Sequence, residues 1–340
     1  MKKVFIGIDF SKLKFDAAIY LPDTKEFVST KEFDNHADGY HEFIFWIKEN
    51  TVCKKSELLF CGEHTGYYSC NLPVFLDELA YDIWLVSGLE MKLSQGIKRE
   101  KTDKIDACQI AQYAYRHLDK MVLFQPVSSA LQEMKDLLSY RNRLVEFRKI
   151  LATSSGELKR VRKSDSCEYI NQESTEQIKQ LDRKIKECEK RIEMVVKQDE
   201  SLHTNYKLMN TIKGIGLVNS VLILAATANF TLFDDPRKFG CYSGVVPFRH
   251  SSGTSVRGKT RISKLANKEI KTALTLAARN SVRYDPVLQE YYQRKLAEGK
   301  NEWLVLNNVK NKLIHRIFAV VRDGQKYDLN YMNPLKQQAA

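Results

Sequence analysis

The segment KVFIGIDFSKLKFDAAIYLPDTKEFVSTKEF, residues 3–33, decides the fold of the N-terminal part of the chain. Apolar and β-branched runs at 3–9, 14–21 and 26–33 are separated by short turn-like breaks, which predicts three antiparallel strands. The first run ends on Asp9, although aspartate is disfavoured in strands. An acid at the end of a buried strand therefore needs an explanation beyond secondary structure.

The next ninety residues alternate between helical and strand patterns. Helices are predicted at 37–49, 68–79, 89–96 and 103–117, and short strands at 58–61 and 82–86. The order β-β-β-α-β-α-β-α matches the ribonuclease H-like topology, a mixed sheet with helices on its faces. We therefore expect an α/β domain over residues 1–125.

Residues 126–204 have a different pattern. Glycine and proline almost vanish, and apolar residues recur every three or four positions, including Leu131, Leu138 and Ile150. This spacing predicts two long helices packed as a hairpin or coiled coil, with the break between them inside 154–175. A solvated spacer is the alternative, but a sustained apolar seam needs a partner and favours a dimerisation arm.

A mainly α-helical C-terminal domain is expected over residues 205–325. The stretch LMNTIKGIGLVNSVLILAA at 208–226 predicts a helix, a Gly-Ile-Gly turn and a second helix. Two interpretations of the turn stay open: its backbone N–H groups hold a phosphate, or the turn only packs two helices. The last helix is predicted at 303–321, and residues 326–340 read as a polar, loosely ordered tail.

Composition limits the class of protein. The chain has 340 residues, a formal net charge of +12 and a pI of about 9.2, which favours a polyanionic partner. No run approaches the roughly 20 apolar residues that span a bilayer. The N-terminus lacks a signal-peptide pattern, and the seven cysteines are scattered. We therefore expect a cytoplasmic protein with reduced thiols, without zinc fingers and without a membrane partner.

Four acids suggest a metal site for phosphodiester chemistry. They are Asp9, Glu63, Asp103 and Asp106. Asp103 and Asp106 are three residues apart, so they share a helix face and repel each other unless a cation neutralises them. Singly, Glu63, Asp103 and Asp106 have ordinary explanations as turn or helix residues, whereas Asp9 is the hardest of the four to explain in that way. Jointly, at strand ends and a helix start, they predict a site for Mg²⁺ or Mn²⁺. An actin-like ATPase also begins with a strand ending in Asp, but Phe10, Ser11 and Lys12 replace its glycine-containing phosphate turn.

A Ser-Ser-Gly sequence lies far downstream in a basic segment. Ser252 precedes Gly253, which permits a sharp turn, and we expect both Ser251 and Ser252 on a loop. The candidate nucleic-acid contacts are Arg249, Arg257, Lys259, Arg261 and Lys264. A serine in this setting can attack phosphorus if a base takes its proton, and His250 is a candidate base. The alternative is a simple exposed turn.

The chain closely resembles the transposases of the insertion-sequence 110 family, including the Piv-type DNA invertases. Five separated motifs agree in order: GIDFSK at 7–12, GEHTGYY at 62–68, KTDKIDA at 101–107, KGIG at 213–216 and YSGVVPFRHSSGTSVRGKTRISKLANKEIK at 242–271. The resemblance implies a RuvC-like N-terminal domain whose tetrad Asp9, Glu63, Asp103 and Asp106 binds Mg²⁺. It also implies a C-terminal transposase domain in which the serine before glycine, Ser252, is the nucleophile.

The resemblance further implies DNA substrates, a structured noncoding RNA that bridges donor and target DNA, and a homodimer or homotetramer with composite sites. Three alternatives stay open from the residues. One is a water-using, Holliday-junction-type nuclease with a dispensable Ser252. Another is a site-specific DNA invertase, and the third is a non-catalytic nucleic-acid scaffold.

Overall fold

A computed structural model describes residues 2–95, 102–161, 163–252 and 256–329. The chain divides into two compact units, Met1–Pro126 and Val127–Ala340. Each unit has its own hydrophobic core. In the described residues, no helix combines the length and apolarity needed to cross a membrane. All seven cysteines are free.

The first unit is built on a five-stranded mixed sheet. Its strands are β1 (Val4–Phe10), β2 (Lys14–Leu21), β3 (Glu26–Asp34), β4 (Leu58–Glu63) and β5 (Ile83–Val86). The strand order is β3-β2-β1-β4-β5. The first three strands are antiparallel neighbours, as predicted, whereas β4 runs parallel to both β1 and β5. The C-terminal ends of β1 and β4 therefore lie side by side.

Helices cover both faces of this sheet. They are α1 (Ala37–Asn50), α2 (Asn71–Glu78), α3 (Gly88–Gln95) and α4 (Asp103–Arg116). An aromatic core that includes Phe15, Phe33 and Phe43 fills the face with α1 and α2. A second core that includes Phe5 and Ile110 lies between the sheet and α4. The order of elements in this mixed α/β unit is the predicted one.

The second helix begins later than predicted. The pattern predicts a helix from position 68, but residues Gly66–Ser69 form a 3₁₀ turn and α2 begins at Asn71. Pro73 explains the start, because proline lacks an N–H and is tolerated only in the first turn of a helix. Pro73 falls in that first turn of α2.

The second unit begins with a long helical hairpin. Helices α5 (Ser129–Val161) and α6 (Asp165–Gln198) pack along each other, which confirms the predicted hairpin and its break. The base of the hairpin is part of the same core as the later helices. Ile150 was expected in the apolar seam, but it is 55% exposed. The apolar residues of α5 are spread over more of the helix surface than the side that contacts α6, so some of them face outward.

The later helices complete this core. They are α7 (Glu200–Asn210), α8 (Leu217–Thr227), α9 (Pro236–Tyr242), α10 (Lys268–Tyr284), α11 (Pro286–Ala297) and α12 (Glu302–Asp323). The Gly-Ile-Gly turn joins α7 and α8, as predicted. Gly214 has a φ of +91°, and a Cβ there would lie 2.2 Å from Ser281 Oγ on α10. Ser281 Oγ also donates to the Lys213 carbonyl at 2.6 Å, so these contacts favour the packing interpretation of the turn.

Part of the predicted loose tail is anchored. Tyr327 donates its N–H to Thr211 Oγ1 at 2.9 Å, and its ring lies under the Arg316 guanidinium. The Tyr327 hydroxyl also contacts Asp285, which is fully buried. The expectation of loose order from residue 326 is therefore wrong at this position, because an aromatic ring finds both a cation and a carboxylate. Residues 330–340 lie outside the described part of the chain.

The serines lie on a strand. β6 (Phe248–Ser252) pairs antiparallel with β7 (Val256–Arg261) to form a two-stranded hairpin. The predicted loop is thus wrong for Ser251 and Ser252, and residues 253–255 lie outside the described residues. β-branched residues such as Val256 and Thr260 favour a strand in β7, which explains why the pairing extends to Ser252.

Candidate functional site

Two of the four acids end neighbouring parallel strands. Asp9 is near the end of β1, and Glu63 is the last residue of β4. Ile8 is the register partner of Gly62, so the next position along both strands brings Asp9 beside Glu63. Because parallel strands end at the same edge of a sheet, both carboxylates belong to one edge. Asp9 and Glu63 are 54 positions apart in the sequence, and the pairing of β1 with β4 brings them together.

The other two acids begin the helix that packs on β1. Asp103 and Asp106 lie in the first turn of α4, which Thr102 caps by accepting the Ile105 N–H at 3.3 Å. A Cβ at Gly7 would lie only 2.0 Å from the Ala107 carbonyl oxygen. The missing side chain at Gly7 therefore lets the first turn of α4 approach the strand that carries Asp9.

The negative charges of the other three acids act on Asp9. The pKa of Asp9 is raised from 3.8 to about 7. Burial is the largest cause, followed by the negative charges of Asp106, Asp103, Glu63 and Asp16. Within the described ranges, no three His, Cys, Asp or Glu side chains yet converge tightly enough to hold a metal ion. Carboxylate oxygens are hard donors of the kind that divalent cations prefer.

A second glycine accommodates the Glu63 carboxylate. A Cβ at Gly88 would lie 2.1 Å from Glu63 Oε1 and 2.9 Å from Glu63 Cδ. Gly88 is the first residue of α3, so the carboxylate lies at a helix N-terminus, where partial positive charge stabilises it. This role of Gly88 was not predicted from the sequence. The sequence feature that could have indicated it is the Ser87-Gly88 pair, which directly follows β5.

A fifth acid lies beside the cluster. Asp16 on β2 is the register partner of Asp9 and is only 7% exposed. Burial raises its pKa, and the charges of Glu32 and Asp103 contribute. Asp16 was missed in the sequence, although an aspartate inside the apolar strand KFDAAIYL carries the same signal that identified Asp9.

Asn35 ties together the two loops that follow Asp9 and Glu63. Its Nδ2 donates to the Ser11 carbonyl at 3.0 Å and to the Tyr68 carbonyl at 2.9 Å. Its Oδ1 accepts a 2.7 Å hydrogen bond from the Tyr40 hydroxyl, and its N–H donates to the Leu13 carbonyl at 2.8 Å. One amide thus fixes the spacing of two segments that carry acids. A lone Asn in a turn gave no sequence signal for this.

The serine hairpin belongs to the second unit. On its backbone, Ser252 is opposite Val256, and Ser251 is opposite Arg257. Arg261 and Lys264 are exposed, as nucleic-acid contacts require. The side chains of residues 249–259 lie outside the described part of the chain. The predicted roles of His250, Arg249, Arg257, Lys259 and both serines therefore stay predictions.

Comparison with known families decides the class of protein. A transposase family model of the DEDD type matches residues 6–154, which include all four acids. A second model, described as the transposase IS116/IS110/IS902 family, matches residues 206–293, which include both serines. The chain belongs to the insertion-sequence 110 family of transposases. It is an enzyme of DNA strand cleavage and rejoining, and the DEDD match implies a ribonuclease H-like fold and a divalent metal.

Individual relatives are more distant. A pilin gene-inverting protein of Moraxella bovis is 26% identical over 333 residues, covering 96% of this chain and 98% of the relative. The corresponding protein of Moraxella lacunata gives the same values. An uncharacterised insertion element IS110 protein of Streptomyces coelicolor is 29% identical over 126 residues, covering 37% of this chain and 31% of the relative.

Proposed function

We propose that this transposase excises and inserts an insertion sequence by metal-assisted attack of a serine hydroxyl on DNA phosphodiesters. The observation that carries the proposal is geometric: two carboxylates end the neighbouring parallel strands β1 and β4, and the helix that begins with the other two packs on β1. Such a cluster is unfavourable unless a cation binds there. The family match adds DNA as the substrate, and the basic serine hairpin supplies a nucleophile and phosphate contacts.

Asp9, Glu63, Asp103 and Asp106 would hold Mg²⁺ or Mn²⁺. When bound, the metal polarises the scissile phosphate and offsets charge on its non-bridging oxygens. Ser252 Oγ forms a bond to phosphorus and the deoxyribose oxygen leaves, taking a proton, so the strand end is kept as a phosphoserine ester. The hydroxyl of another strand then attacks this ester, which rejoins DNA and restores the serine.

The remaining parts of the chain have proposed roles in assembly. Residues 1–125 form the RuvC-like domain, 126–204 a dimerisation region and 205–325 the serine domain. Exposed apolar side chains on the helical hairpin support a homodimer or homotetramer: Phe147, Ile150, Tyr169 and Met194. The net charge of +12 supports binding of a structured noncoding RNA in addition to DNA. Acids of one protomer then act with the serine of another.

A recombination assay in cells tests the proposal. A plasmid would carry the element, with its flanking DNA as the source of RNA, and excision would be scored by PCR across the junction. We expect Ser252→Ala and Asp106→Asn to abolish the junction product, whereas Ser251→Ala keeps it. Full excision by Ser252→Ala would contradict the serine mechanism and favour a water-using nuclease.

DNA inversion is a second candidate function. It is favoured because the pilin gene-inverting relatives match 98% of their own length, whereas the insertion element relative from Streptomyces matches 31% of its length. The same plasmid with the recombination sites in inverted orientation separates the two functions. Inversion without excision or insertion would support the invertase.

A further inference from the structure

A polar face on α12 points into the second unit. Asn307, Lys310 and Asn311 are spaced i, i+3 and i+4, so they share one side of the helix. Asn307 Nδ2 donates to the Val245 carbonyl at 2.8 Å. Asn311 Oδ1 lies 3.8 Å from where a Gly240 Cβ would stand. This face therefore packs against the segment that runs directly into the serine strand β6.

Lys310 carries a buried charge without a counter-charge. It is 6% exposed, and its Nζ contacts Thr275 Oγ1 on α10 at 3.4 Å. Among residues the structure describes, its ammonium forms no ion pair. Buried charges in proteins are normally paired, because taking an ion out of water without a partner is costly. An anion that the protein binds would supply the missing partner.

A second lysine adds positive charge at the same place. The Cδ of Lys271 lies 3.6 Å from where a Gly244 Cβ would stand. Burial is the main cause that lowers the pKa of Lys310 to about 8, and the charge of Lys271 adds to it. Glu269, the acid nearest in sequence to Lys271, accepts a hydrogen bond from Asn142 at 2.5 Å instead. The positive charges of Lys310 and Lys271 therefore lie near each other in the second unit.

An unsatisfied polar atom lies on the same face. Asn311 Oδ1 is buried and has no hydrogen-bond partner in the part of the chain that the structure describes. Such atoms are rare in folded proteins, and each calls for a ligand or a bound water. An amide oxygen accepts, so its partner here would be a donor, such as a water that bridges to the anion. The unpaired ammonium and the unpaired amide are two separate signs of a polar ligand.

Lys271 and Thr275, the two neighbours of the Lys310 ammonium, are both only partly buried. The ammonium is therefore next to side chains that reach solvent. The segment 244–247, which contacts Asn307 and Lys271, leads into β6 and Ser252. A phosphate bound here would sit at the base of the serine hairpin. This position suits a group that holds the nucleic-acid backbone while the serine acts.

We propose that Lys310, with Lys271, forms an anion site that takes a backbone phosphate of the nucleic-acid substrate at the base of the serine hairpin. The identity of the nucleic acid rests on the proposed function, whereas phosphate binding does not. Lys310 is a binding and positioning residue in this view, and its ammonium pairs with the phosphate by a charge-assisted hydrogen bond.

Thermal unfolding of the full chain tests the site without any recombination activity. Lys310→Met keeps the length of the side chain and removes the charge, so we expect its Tm in chloride to be higher than that of the wild type. Inorganic phosphate at matched ionic strength should raise the Tm of the wild type and not that of Lys310→Met. Lys312→Met is the matched control, since Lys312 is exposed on the same helix over the Tyr291 ring.

A second measurement identifies the source of the phosphate. We expect Lys310→Met and Lys271→Met to weaken binding of a labelled single-stranded oligonucleotide about tenfold, and Lys312→Met to leave it nearly unchanged. Equal Tm shifts in phosphate for wild type and Lys310→Met would overturn the anion site. A phosphate effect without a change in oligonucleotide affinity would overturn its assignment to nucleic acid. Binding that depends on Lys310 in a chain without recombination activity would contradict the proposed function alone.

Discussion

The two units of this transposase concentrate opposite charges. In the first, carboxylates from β1, β4 and α4 gather at one sheet edge and raise the pKa of Asp9 to about 7. In the second, Lys310 lies buried beside Lys271, and a basic hairpin carries the serines. Each arrangement is unfavourable alone and calls for a ligand of opposite sign. In the proposed function, a divalent cation would bind the first arrangement and a nucleic-acid phosphate the second.

The units also differ in how they hold their functional residues. The acids lie on buried strands and a capped helix whose spacing is set by close contacts at Gly7 and Gly88. The serines lie on a two-stranded ribbon, an element with little stability of its own. The backbone that carries the acids is therefore fixed by the core of the first unit, whereas the serine strand is held by its pairing with β7. The following changes test this contrast, from the largest expected effect to the smallest.

Neutralising one acid should separate activity from stability. We expect Asp106→Asn to lower strand cleavage more than about 100-fold, since loss of even a supporting group costs metal sites 10–100-fold. In metal-free buffer its Tm should stay the same or rise, because one repulsive charge is gone. Cleavage rates and thermal unfolding in EDTA measure the two effects. Asp119→Asn, an exposed acid beyond the far end of α4, is the control.

Two glycine substitutions distinguish a packing role from a site role. Gly7→Ala places a Cβ 2.0 Å from backbone of α4, so we expect a loss of roughly 1–3 kcal/mol or more in unfolding free energy. Gly88→Ala meets only the end of the flexible Glu63 side chain, which can move. Its stability should hardly change, while its Mn²⁺ requirement for cleavage rises about tenfold. A Gly88→Ala protein with normal metal dependence would argue against Glu63 as a metal ligand.

Asn35 should matter more for the site than for the fold. Asn35→Asp keeps the acceptor for Tyr40 but removes both donors to the loop carbonyls. We expect about a tenfold loss of cleavage with a shifted metal dependence, and a stability loss of roughly 1–3 kcal/mol. Asn50→Asp removes a similar bond to the Trp46 carbonyl, away from the acids. Equal effects of both variants on metal dependence would refute a positioning role.

The smallest effect concerns pH. The raised pKa of Asp9 means that the folded state keeps a proton that the unfolded state releases above about pH 4. This contribution to stability is fully present below pH 4 and is lost as pH rises through 7. In EDTA, the Tm of the wild type relative to Asp9→Asn should therefore fall by about 2–4 °C between pH 5 and 8. Mg²⁺ at pH 8 should restore it for the wild type alone.

The sequence predicted the first unit well because its signals are local. Apolar alternation gave β1 to β3, and an aspartate at the end of a strand marked Asp9. Gly7, Gly88 and Asn35 were out of reach, since their roles arise from contacts between segments distant in the chain. Asp16 had a local signal that was overlooked. In the second unit, the serines were expected on a loop because Gly253 outweighed the β-branched residues that follow it. The sequence around Lys310 is that of an ordinary helical lysine, and only the burial of its side chain in the fold distinguishes it.

The covalent step is the central claim, and a trapping assay tests it most directly. Purified protein would be mixed with labelled element-end DNA, Mg²⁺ and RNA transcribed from the flank of the gene, then denatured and run on a gel. We expect a protein–DNA adduct that forms with the wild type and Ser251→Ala and is absent with Ser252→Ala and Asp106→Asn. Cleaved DNA with free ends and no adduct would contradict the account and show that water is the nucleophile.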